Sequence, residues 1–327
     1  MGLLPTHKDR SVFVSWWRYT SRPESFAEAM GAENYFFAQG EQLGLLKYIP
    51  RAWCCLWTLI RRRPRLVYAS NPPTFAPLIV WFYCLIFNAR YCMDSHTSAF
   101  DRVRWLRLMP LHAFLARRAI WAATTNDELT DRVNAFGAPG ISVTDIPFEF
   151  PQASYPVKDG FSVAVVSSFD DDEPVAEVFE AARRKSDVTF YVTGNPAKAP
   201  EKLRESCPSN VILTGYLSNE DYIGLLRSVS AIMVLTTNDL TMQRGGSEAI
   251  SVERPLITSD FQVLRDIFYK GTVHVDNSPE SLVDAIDQIS RDLPRYESEM
   301  TAMKHERDER WAETRTDLLN RIASALG

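Results

Sequence analysis

The feature that most constrains the fold of this chain is a regular alternation of short apolar segments with longer amphipathic segments. In the first half, segments typical of strands stand at 11–17, 65–70 and 89–95, and segments typical of helices at 48–63, 75–87 and 101–118. In the second half, strand-like segments stand at 161–168, 188–194, 211–217 and 231–236, and helix-like segments at 174–185, 219–228 and 279–291. This alternation predicts an α/β fold, with parallel sheets covered by helices on both faces.

The length of the chain predicts more than one domain. At 327 residues it exceeds the usual size of one hydrophobic core. The segment 146–160 holds three prolines and no helical period, which indicates a linker. We therefore predict two Rossmann-like, doubly wound domains at 1–150 and 161–295, followed by an amphipathic helix at 296–327. Two such domains facing each other form a cleft at the carboxyl ends of their strands, where α/β sheets bind ligands.

Composition and short motifs exclude several classes of protein. The five cysteines lack metal-ligand spacing, and their odd number argues against a disulfide framework, so we expect a reducing cytoplasm. The N-terminal segment shows no secretory signal pattern. No GxGxxG follows the first strand-like segment and no GxxxxGK[ST] occurs, which argues against dinucleotide oxidoreductases and P-loop NTPases.

Charge is distributed unevenly along the chain. Residues 45–118 carry 12 Lys or Arg against two Asp, whereas the remainder carries 24 basic and 39 acidic residues. The basic segment mixes Arg with Trp and Leu at helical spacing, which suits an anionic membrane surface. Nucleic acid is the alternative, but no recognized nucleic-acid motif accompanies the arginines. Arginine stems lining ordinary helix surfaces are a further alternative. The apolar stretch 75–87 is too short to span a bilayer.

The stretch 241–260, TMQRGGSEAISVERPLITSD, is the strongest candidate binding element. Gly245 and Gly246 permit unusual backbone torsions, Ser247 is a good N-cap, and Glu248 falls in the first turn of the predicted helix. Free amides at a helix start bind phosphate, and the carboxylate can accept hydrogen bonds from ribose hydroxyls. The alternative is an ordinary capped helix whose Glu248 complements the helix dipole.

The order of segments in the second half resembles the sugar-donor domain of GT-B glycosyltransferases, especially the large retaining family-4-type group. The segments that carry the resemblance are VILTGYLSNEDYIGLLRSVSAIMVLTTND, ERPLITSD and GTVHVDNSPESLVDAI. In that group the glutamate helix is followed by a KPVI-like segment and an SD dipeptide, matched here by 254–257 and 259–260. The tail RWAETRTDLLNRI resembles the terminal helix that packs back on the first domain.

The resemblance implies a set of donor-binding residues. Glu248 corresponds to the second glutamate of the Glu-x7-Glu motif, while the first glutamate is replaced by Leu240. The Arg and Lys that follow the first strand of this domain in the family are missing, and Arg244 is the leading replacement, with Lys198 second. The donor-binding set we predict is Ser167, Ser168, Gly194, Asn195, Gly215, Tyr216, Gln243, Arg244, Gly245, Gly246, Ser247 and Glu248.

Segments of the chain also resemble the inverting β-mannosyltransferases that extend lipid-linked chitobiose, so the anomeric outcome stays open. Asp94 and His96 end a predicted strand and, as alternate residues, point to the same side. His96 matches the histidine that such transferases place beside the sugar, and both residues are predicted to be catalytic. A structural Asp–His pair is the alternative. Arg18 and Arg22 are predicted to bind the acceptor, with surface charge as the alternative.

Together these features predict a glycosyltransferase. It would move a sugar from a nucleotide-diphosphate donor to a lipid-linked or envelope saccharide at the inner face of the plasma membrane, with no metal or other cofactor required. The alternative is a non-catalytic GT-B homologue that serves as a scaffold subunit, which the replacement of glutamate by Leu240 favours. A sugar phosphorylase would need a cofactor lysine or phosphate pocket that the sequence does not reveal.

Overall fold

The computed structural model describes residues 11–17, 21–144, 146–239 and 241–327. The chain divides into two compact units. The first unit comprises the chain up to Ile146 together with Arg310–Gly327, and the second unit is Pro147–Glu309. Residues 147–160, predicted to be a linker, belong to the second unit, where Phe150, Tyr155 and Val157 pack against its core.

The first unit contains one parallel sheet in the order β2-β1-β3-β4-β5-β6 within the described residues. Its strands are β1 (Ser11–Ser15), β2 (Glu33–Phe36), β3 (Leu66–Asn71), β4 (Arg90–Ser95), β5 (Ala122–Thr124) and β6 (Gly140–Ser142). Its helices are α1 (Ser21–Met30), α2 (Tyr48–Arg62), α3 (Phe75–Phe87), α4 (Ser98–Asp101), α5 (Val103–Leu106), α6 (Met109–Ala116) and α7 (Asp127–Ala135), with a 3-10 helix at Glu41–Lys47. The strand order reverses between β1 and β3.

The second unit repeats this design in the order β12-β11-β10-β7-β8-β9, again with parallel strands. Its strands are β7 (Ser162–Val165), β8 (Thr189–Thr193), β9 (Val211–Gly215), β10 (Ala231–Val234), β11 (Leu256–Ser259) and β12 (Thr272–Val275). Its helices are α8 (Val175–Arg184), α9 (Glu201–Glu205), α10 (Asn219–Ser228), α11 (Arg244–Val252), α12 (Gln262–Ile267), α13 (Pro279–Arg291) and the start of α14 (Leu293–Leu326), with a 3-10 helix at Pro196–Lys198. This is the doubly wound Rossmann order, with its switch point between β7 and β10. The predicted fold class is confirmed.

Each sheet is buried on both faces, because helices cover both sides. In β3, Val67 and Ala69 face one apolar cluster, whereas Tyr68 faces the other. In β7, Val163 and Val165 likewise lie in a different cluster from Ala164. Successive residues of a strand point to opposite faces, so strands buried on both sides read as continuous apolar runs.

The single helix predicted at 101–118 is wrong, because the chain forms three short helices there, α4, α5 and α6. Arg102 is extended, with φ −77° and ψ 121°, and separates α4 from α5. Pro110 stands in the first turn of α6, where its missing N–H costs nothing. The proline therefore starts a new helix instead of continuing the old one.

The last helix contributes to both units. Residues of α14 up to Glu309 pack in the second unit, and those from Arg310 onward pack in the first. In the first unit Trp311 packs edge-on against Phe26, and Leu318 and Ile322 enter the same apolar cluster. No helix in the described part of the chain is both long and apolar enough to span a bilayer.

Candidate functional site

The switch point of the first sheet brings together the loops that follow β1 and β3. Trp17, just after β1, donates from Nε1 to the carbonyl of Pro72 at 2.6 Å. Next to β3, the end of β4 is in register with it, so that Ser70 pairs with Asp94 and Asn71 with Ser95. Ser70, Asn71, Asp94 and Ser95 are all buried polar residues at the carboxyl edge of the sheet. This edge is where α/β sheets bind ligands.

Asp94 is 1% exposed and lies against Arg22 and His96. Arg22 donates from Nη2 to Oδ1 at 2.9 Å, and His96 Nε2 lies 3.2 Å from Oδ2. Burial would raise the pKa of Asp94, but the Arg22 guanidinium and the His96 imidazole outweigh burial and hold that pKa well below its usual range. Asp94 is therefore an ionised carboxylate at neutral pH.

The carboxylate of Asp94 determines the tautomer of His96. An ionised carboxylate only accepts hydrogen bonds, so the ring proton of neutral His96 resides on Nε2. Ser70 Oγ lies 3.4 Å from the same nitrogen. The lone pair is then on Nδ1, and the side chain of His96 is 26% exposed. His96 can therefore accept a proton through Nδ1 from a group bound at this edge.

The structure describes one of the two arginines that were predicted to bind an acceptor. Arg18 lies outside the described residues. Arg22 holds Asp94 and also donates from Nη1 to the carbonyl of Val143 at 2.9 Å. Its guanidinium thus supports the Asp94–His96 pair.

His112 is a buried residue next to this edge, and its contacts are with residues of the core. It is 1% exposed, its Nε2 lies 3.1 Å from Ser95 Oγ, and its ring packs on Phe100. Burial lowers the pKa of His112 to about 4. The ring is therefore neutral at physiological pH.

The switch point of the second sheet joins the loops after β7 and β10. Thr236 donates from Oγ1 to the carboxylate of Asp172 at 2.8 Å, and the Thr237 amide donates to the Asp172 carbonyl at 2.7 Å. Ser259, at the end of β11, accepts from the Thr236 amide at 2.9 Å. Loops from three strands are thus connected by hydrogen bonds at one edge of the sheet.

Ser167 and Ser168 lie in a turn whose hydrogen-bond donors point at Glu173. Ser167 Oγ donates to Glu173 at 2.6 Å, Ser168 Oγ at 3.0 Å, and the amides of Ser168 and Phe169 each donate at 2.9 Å. Phe169 has φ +57°, which lets successive amides converge on one point. The acid-rich sequence after β7 therefore supplies its own anion to this turn.

Helix α11 begins earlier than the sequence predicted. Its first residue is Arg244 and its N-cap is Gln243, so the prediction that Ser247 is the N-cap and that Glu248 falls in the first turn is wrong. Ser247 is 1% exposed, and its carbonyl accepts a hydrogen bond from the buried Arg307 at 3.1 Å. Glu248 lies in the second turn.

The two glycines of α11 serve close packing and not unusual torsions. Both lie inside the helix with ordinary φ. A Cβ atom on Gly246 would lie 2.4 Å from Phe268, and one on Gly245 would lie 2.9 Å from Val234 at the end of β10. The glycines therefore let the start of α11 pack directly against the switch point, and the Gly246 amide donates to the carbonyl of the N-cap residue Gln243 at 3.1 Å.

Glu248 is held by two side chains. Arg244 donates from Nε to Oε1 at 3.1 Å, and Tyr222 of α10 donates from its hydroxyl to Oε2 at 2.5 Å. Burial and the adjacent Glu248 carboxylate raise the pKa of Tyr222 well above its usual value, so the hydroxyl keeps its proton. Arg244 also lies over the ring of Phe148, 4.7 Å from its centre. The carboxylate of Glu248 is thus oriented before any ligand binds.

The remaining predicted donor-binding residues surround this edge. Gly194 follows β8 with φ +92°, and a Cβ atom there would lie 2.3 Å from the carbonyl of Ser167. Asn195 accepts from the Ala197 amide and so caps its own short 3-10 helix. Gly215 ends β9, and Tyr216 is 90% exposed. Lys198, which is outside that set and was predicted only as the second replacement cation, forms an ion pair with Asp170 at 3.3 Å.

Several residues of this site were not predicted from the sequence. Tyr222 and Arg307 come from helices far along the chain, and a single sequence carries no signal for such pairing. Asp172 and Glu173 belong to the run DDDE, in which the sequence does not show which acid turns inward. Among the described residues, no group of three or more His, Cys, Asp or Glu side chains is placed to hold a metal ion.

Comparison with known proteins agrees with the fold of both units. Residues 170–292 match the family model described as Glycosyl transferases group 1. HepE of Anabaena, solved in complex with UDP-glucose, superposes with a TM-score of 0.73 at 12% identity, covering 96% of this chain and 99% of that one. Sucrose-phosphate synthase of Thermosynechococcus elongatus has a TM-score of 0.71 at 14% identity, covering 98% and 100%.

The lipopolysaccharide outer core galactosyltransferase WaaB, in its apo form, has a TM-score of 0.59 at 14% identity, covering 97% of this chain and 99% of that one. No curated protein sequence matches the chain. Identities this low establish the fold alone, which is GT-B, and the family match concerns the second unit. The class of protein that the comparisons define is therefore one of GT-B fold, and its second unit matches the group 1 glycosyltransferase model. The match begins in the Asp170–Glu173 run and ends after α13.

Proposed function

We propose that this protein transfers a sugar from a nucleoside diphosphate sugar to a saccharide acceptor. The observation that carries the proposal is the oriented Glu248 carboxylate on a helix whose amino end meets the Rossmann switch point. Each oxygen of a carboxylate can accept more than one hydrogen bond, which suits it to the hydroxyls of a ribose. The helix start supplies amides and positive dipole for the diphosphate. The complexes of HepE with UDP and UDP-glucose support the same class of donor here.

Arg244 is the cation proposed to offset the charge of the leaving diphosphate. It is the only residue of the predicted donor-binding set that carries a positive charge, and its side chain is 36% exposed. Guanidinium groups bind phosphate through two parallel hydrogen bonds. Helix amides and Arg244 together would stabilise the leaving group without a metal ion.

His96 is the proposed base for the acceptor hydroxyl. Its Nε2–H is directed at the ionised Asp94, which leaves Nδ1 to take the proton as the hydroxyl attacks the sugar. Asp94 stabilises the imidazolium that then forms. Arg22 keeps Asp94 ionised and oriented, so it acts as a positioning residue.

The proposed acceptor is a lipid-linked or envelope saccharide, and the proposed place of action is the inner face of the plasma membrane. The basic segment 45–118, with its net charge of +10, supports this location, because anionic lipid attracts clustered arginines. A lipid-linked acceptor would need an enzyme that sits at the membrane surface.

The alternative is a scaffold subunit without activity, which the replacement of the first motif glutamate by Leu240 favours. Calorimetric titration of the purified protein with UDP, GDP and ADP tests the donor proposal. We expect one of them to bind and Glu248→Ala to weaken it at least tenfold, while the exposed Glu205→Ala control binds as the wild type does. If none of the three nucleotides binds, the donor proposal is refuted and the scaffold alternative is supported.

A further inference from the structure

An unusual number of large apolar side chains is exposed on the first unit. Six of them follow one another along the 3-10 helix Glu41–Lys47 and α2, and we call this set the apolar ridge. Its members, with their exposed fractions, are Leu43 (46%), Leu45 (78%), Leu46 (63%), Ile49 (66%), Trp53 (68%) and Trp57 (52%). A contiguous exposed apolar surface usually marks an interaction site.

The spacing shows that the part of the ridge on α2 is one face of that helix. Ile49, Trp53 and Trp57 are four residues apart, so they form one stripe along the helix. The opposite stripe, Cys55 and Leu59, is buried in the core. Helix α2 is therefore apolar on its outer face as well as its inner face, which packing within the first unit does not require.

The neighbouring helices extend the same surface. Tyr48 at the start of α2 packs against Phe75 of α3 and Trp105 of α5. At the other end of α2, the guanidinium of Arg63 lies over the ring of Phe87 on α3. Helix α3 exposes Leu85 and Ile86, and α5 exposes Val103 and Leu106. The exposed apolar groups thus continue from α2 onto the helices on which it packs.

Basic residues outnumber acidic ones on this surface, although Glu41 begins the 3-10 helix and Arg62 lies 3.8 Å from Glu33. Between Glu41 and Asp94 the sequence has seven Lys or Arg and no Asp or Glu. Arg61 follows Trp57 on the same stripe of α2, and Arg62 and Arg63 follow it directly. Tryptophan with arginine at the border of an apolar face matches the interface of an anionic bilayer, where the ring lies among headgroups and the guanidinium on phosphate.

We propose that the apolar ridge inserts into the headgroup region of a bilayer containing anionic lipid, with the arginines at the end of α2 on lipid phosphates. A second copy of this chain is the other occupant that the test below distinguishes. The inference rests on the proposed function only for the membrane location of the acceptor. It adds the contact surface and the mode of binding, which is apolar insertion as well as charge attraction.

The test is co-sedimentation of the full chain with vesicles of equal parts phosphatidylcholine and phosphatidylglycerol, and with vesicles of phosphatidylcholine alone. We expect binding to the mixed vesicles that weakens in high salt but persists. The double variant Trp53→Ser, Trp57→Ser should weaken this binding roughly tenfold or more, because two large apolar groups no longer leave water. Tyr269→Ser, an exposed aromatic of the second unit, should bind as the wild type does.

Both tryptophans are exposed, so the double variant should unfold at the temperature of the wild type, and melting curves check this. The inference is overturned if the wild type does not bind mixed vesicles, if the double variant binds them equally well, or if the ridge proves to hold two copies of the chain together in solution. Nucleoside diphosphate binding without vesicles separates the two proposals. Loss of vesicle binding with retained nucleotide binding refutes the ridge alone, and the reverse result refutes the donor site alone.

Discussion

The hydroxyl of Tyr222 and the carboxylate of Glu248 lie 2.5 Å apart, although the two residues stand on different helices. Tyr222→Phe removes this hydrogen bond and leaves the Arg244 pair in place. We expect nucleoside diphosphate affinity to fall roughly threefold to tenfold, in line with the loss of one hydrogen bond that orients a charged group. Titration calorimetry measures it, with Tyr269→Phe as the control. Unchanged affinity in Tyr222→Phe would mean that Glu248 needs no support from α10.

The ion pair of Asp94 with Arg22 predicts a stability effect with a defined pH dependence. Asp94→Asn leaves the largely buried Arg22 without its counter-charge, and we expect a loss of about 3 kcal/mol in the free energy of unfolding at pH 7. The folded pKa of Asp94 is depressed, so its contribution is present above the unfolded value of about 3.9 and is lost as pH falls below it.

Urea unfolding of wild type and Asp94→Asn at neutral and acidic pH measures this difference. The exposed Asp131→Asn on α7 is the matched control and should change stability by less than about 0.5 kcal/mol. Equal free energies of unfolding for the wild type and Asp94→Asn at pH 7 would contradict a stabilising ion pair.

His112 predicts a second pH dependence, at higher pH. Its folded pKa of about 4 lies below the unfolded value of about 6.5, so the unfolded chain binds a proton that the folded chain does not. Its contribution is fully present above about pH 6.5 and declines as pH falls toward 4. We expect His112→Gln to flatten the stability profile over that window, whereas the exposed His305→Gln should not. If the free energy of unfolding changes with pH equally in the wild type, His112→Gln and His305→Gln, then burial does not shift the pKa of His112.

The Glu173 carboxylate should stabilise the turn that surrounds it, so we expect its replacement to lower the free energy of unfolding. Glu173→Gln keeps the shape of the side chain but loses the charge that accepts from two amides and two hydroxyls. We expect a loss of about 1–3 kcal/mol in the free energy of unfolding. Glu177→Gln, on the first turn of α8, is the control. Identical unfolding curves for the two variants would mean that the turn does not depend on its carboxylate.

The sequence predicted most of the secondary structure because apolar periodicity is local. Strands β1, β3, β4 and β7 to β10 and helix α3 came from such patterns, whereas the helix predicted at 101–118 breaks at the extended Arg102 and at Pro110. The pairing of Asp94 with His96 was also predictable, since alternate residues at a strand end share a side. Partners distant in sequence were not, as Arg22 and Asp94 show, because the sheet order that joins them is a tertiary property.

The two glycines of α11 show how a sequence signal was given the wrong cause. The sequence suggested torsional freedom, whereas the structure assigns the glycines to close contact with Phe268 and Val234. A single sequence does not reveal which core side chains will approach a helix. The position of Glu248 in the second turn was missed for a different reason, because Gln243 is a weak cap signal and the helix was predicted to start too late.

The most direct test of the account is release of nucleoside diphosphate from the sugar donor that binds, measured without acceptor and with saccharide acceptors. We predict that the wild type releases diphosphate and that His96→Ala binds the same donor with unchanged affinity but releases it roughly a hundredfold or more slowly with acceptor. Binding of the donor by the wild type without any release, under every acceptor condition, would contradict catalysis and leave a nucleotide-binding scaffold.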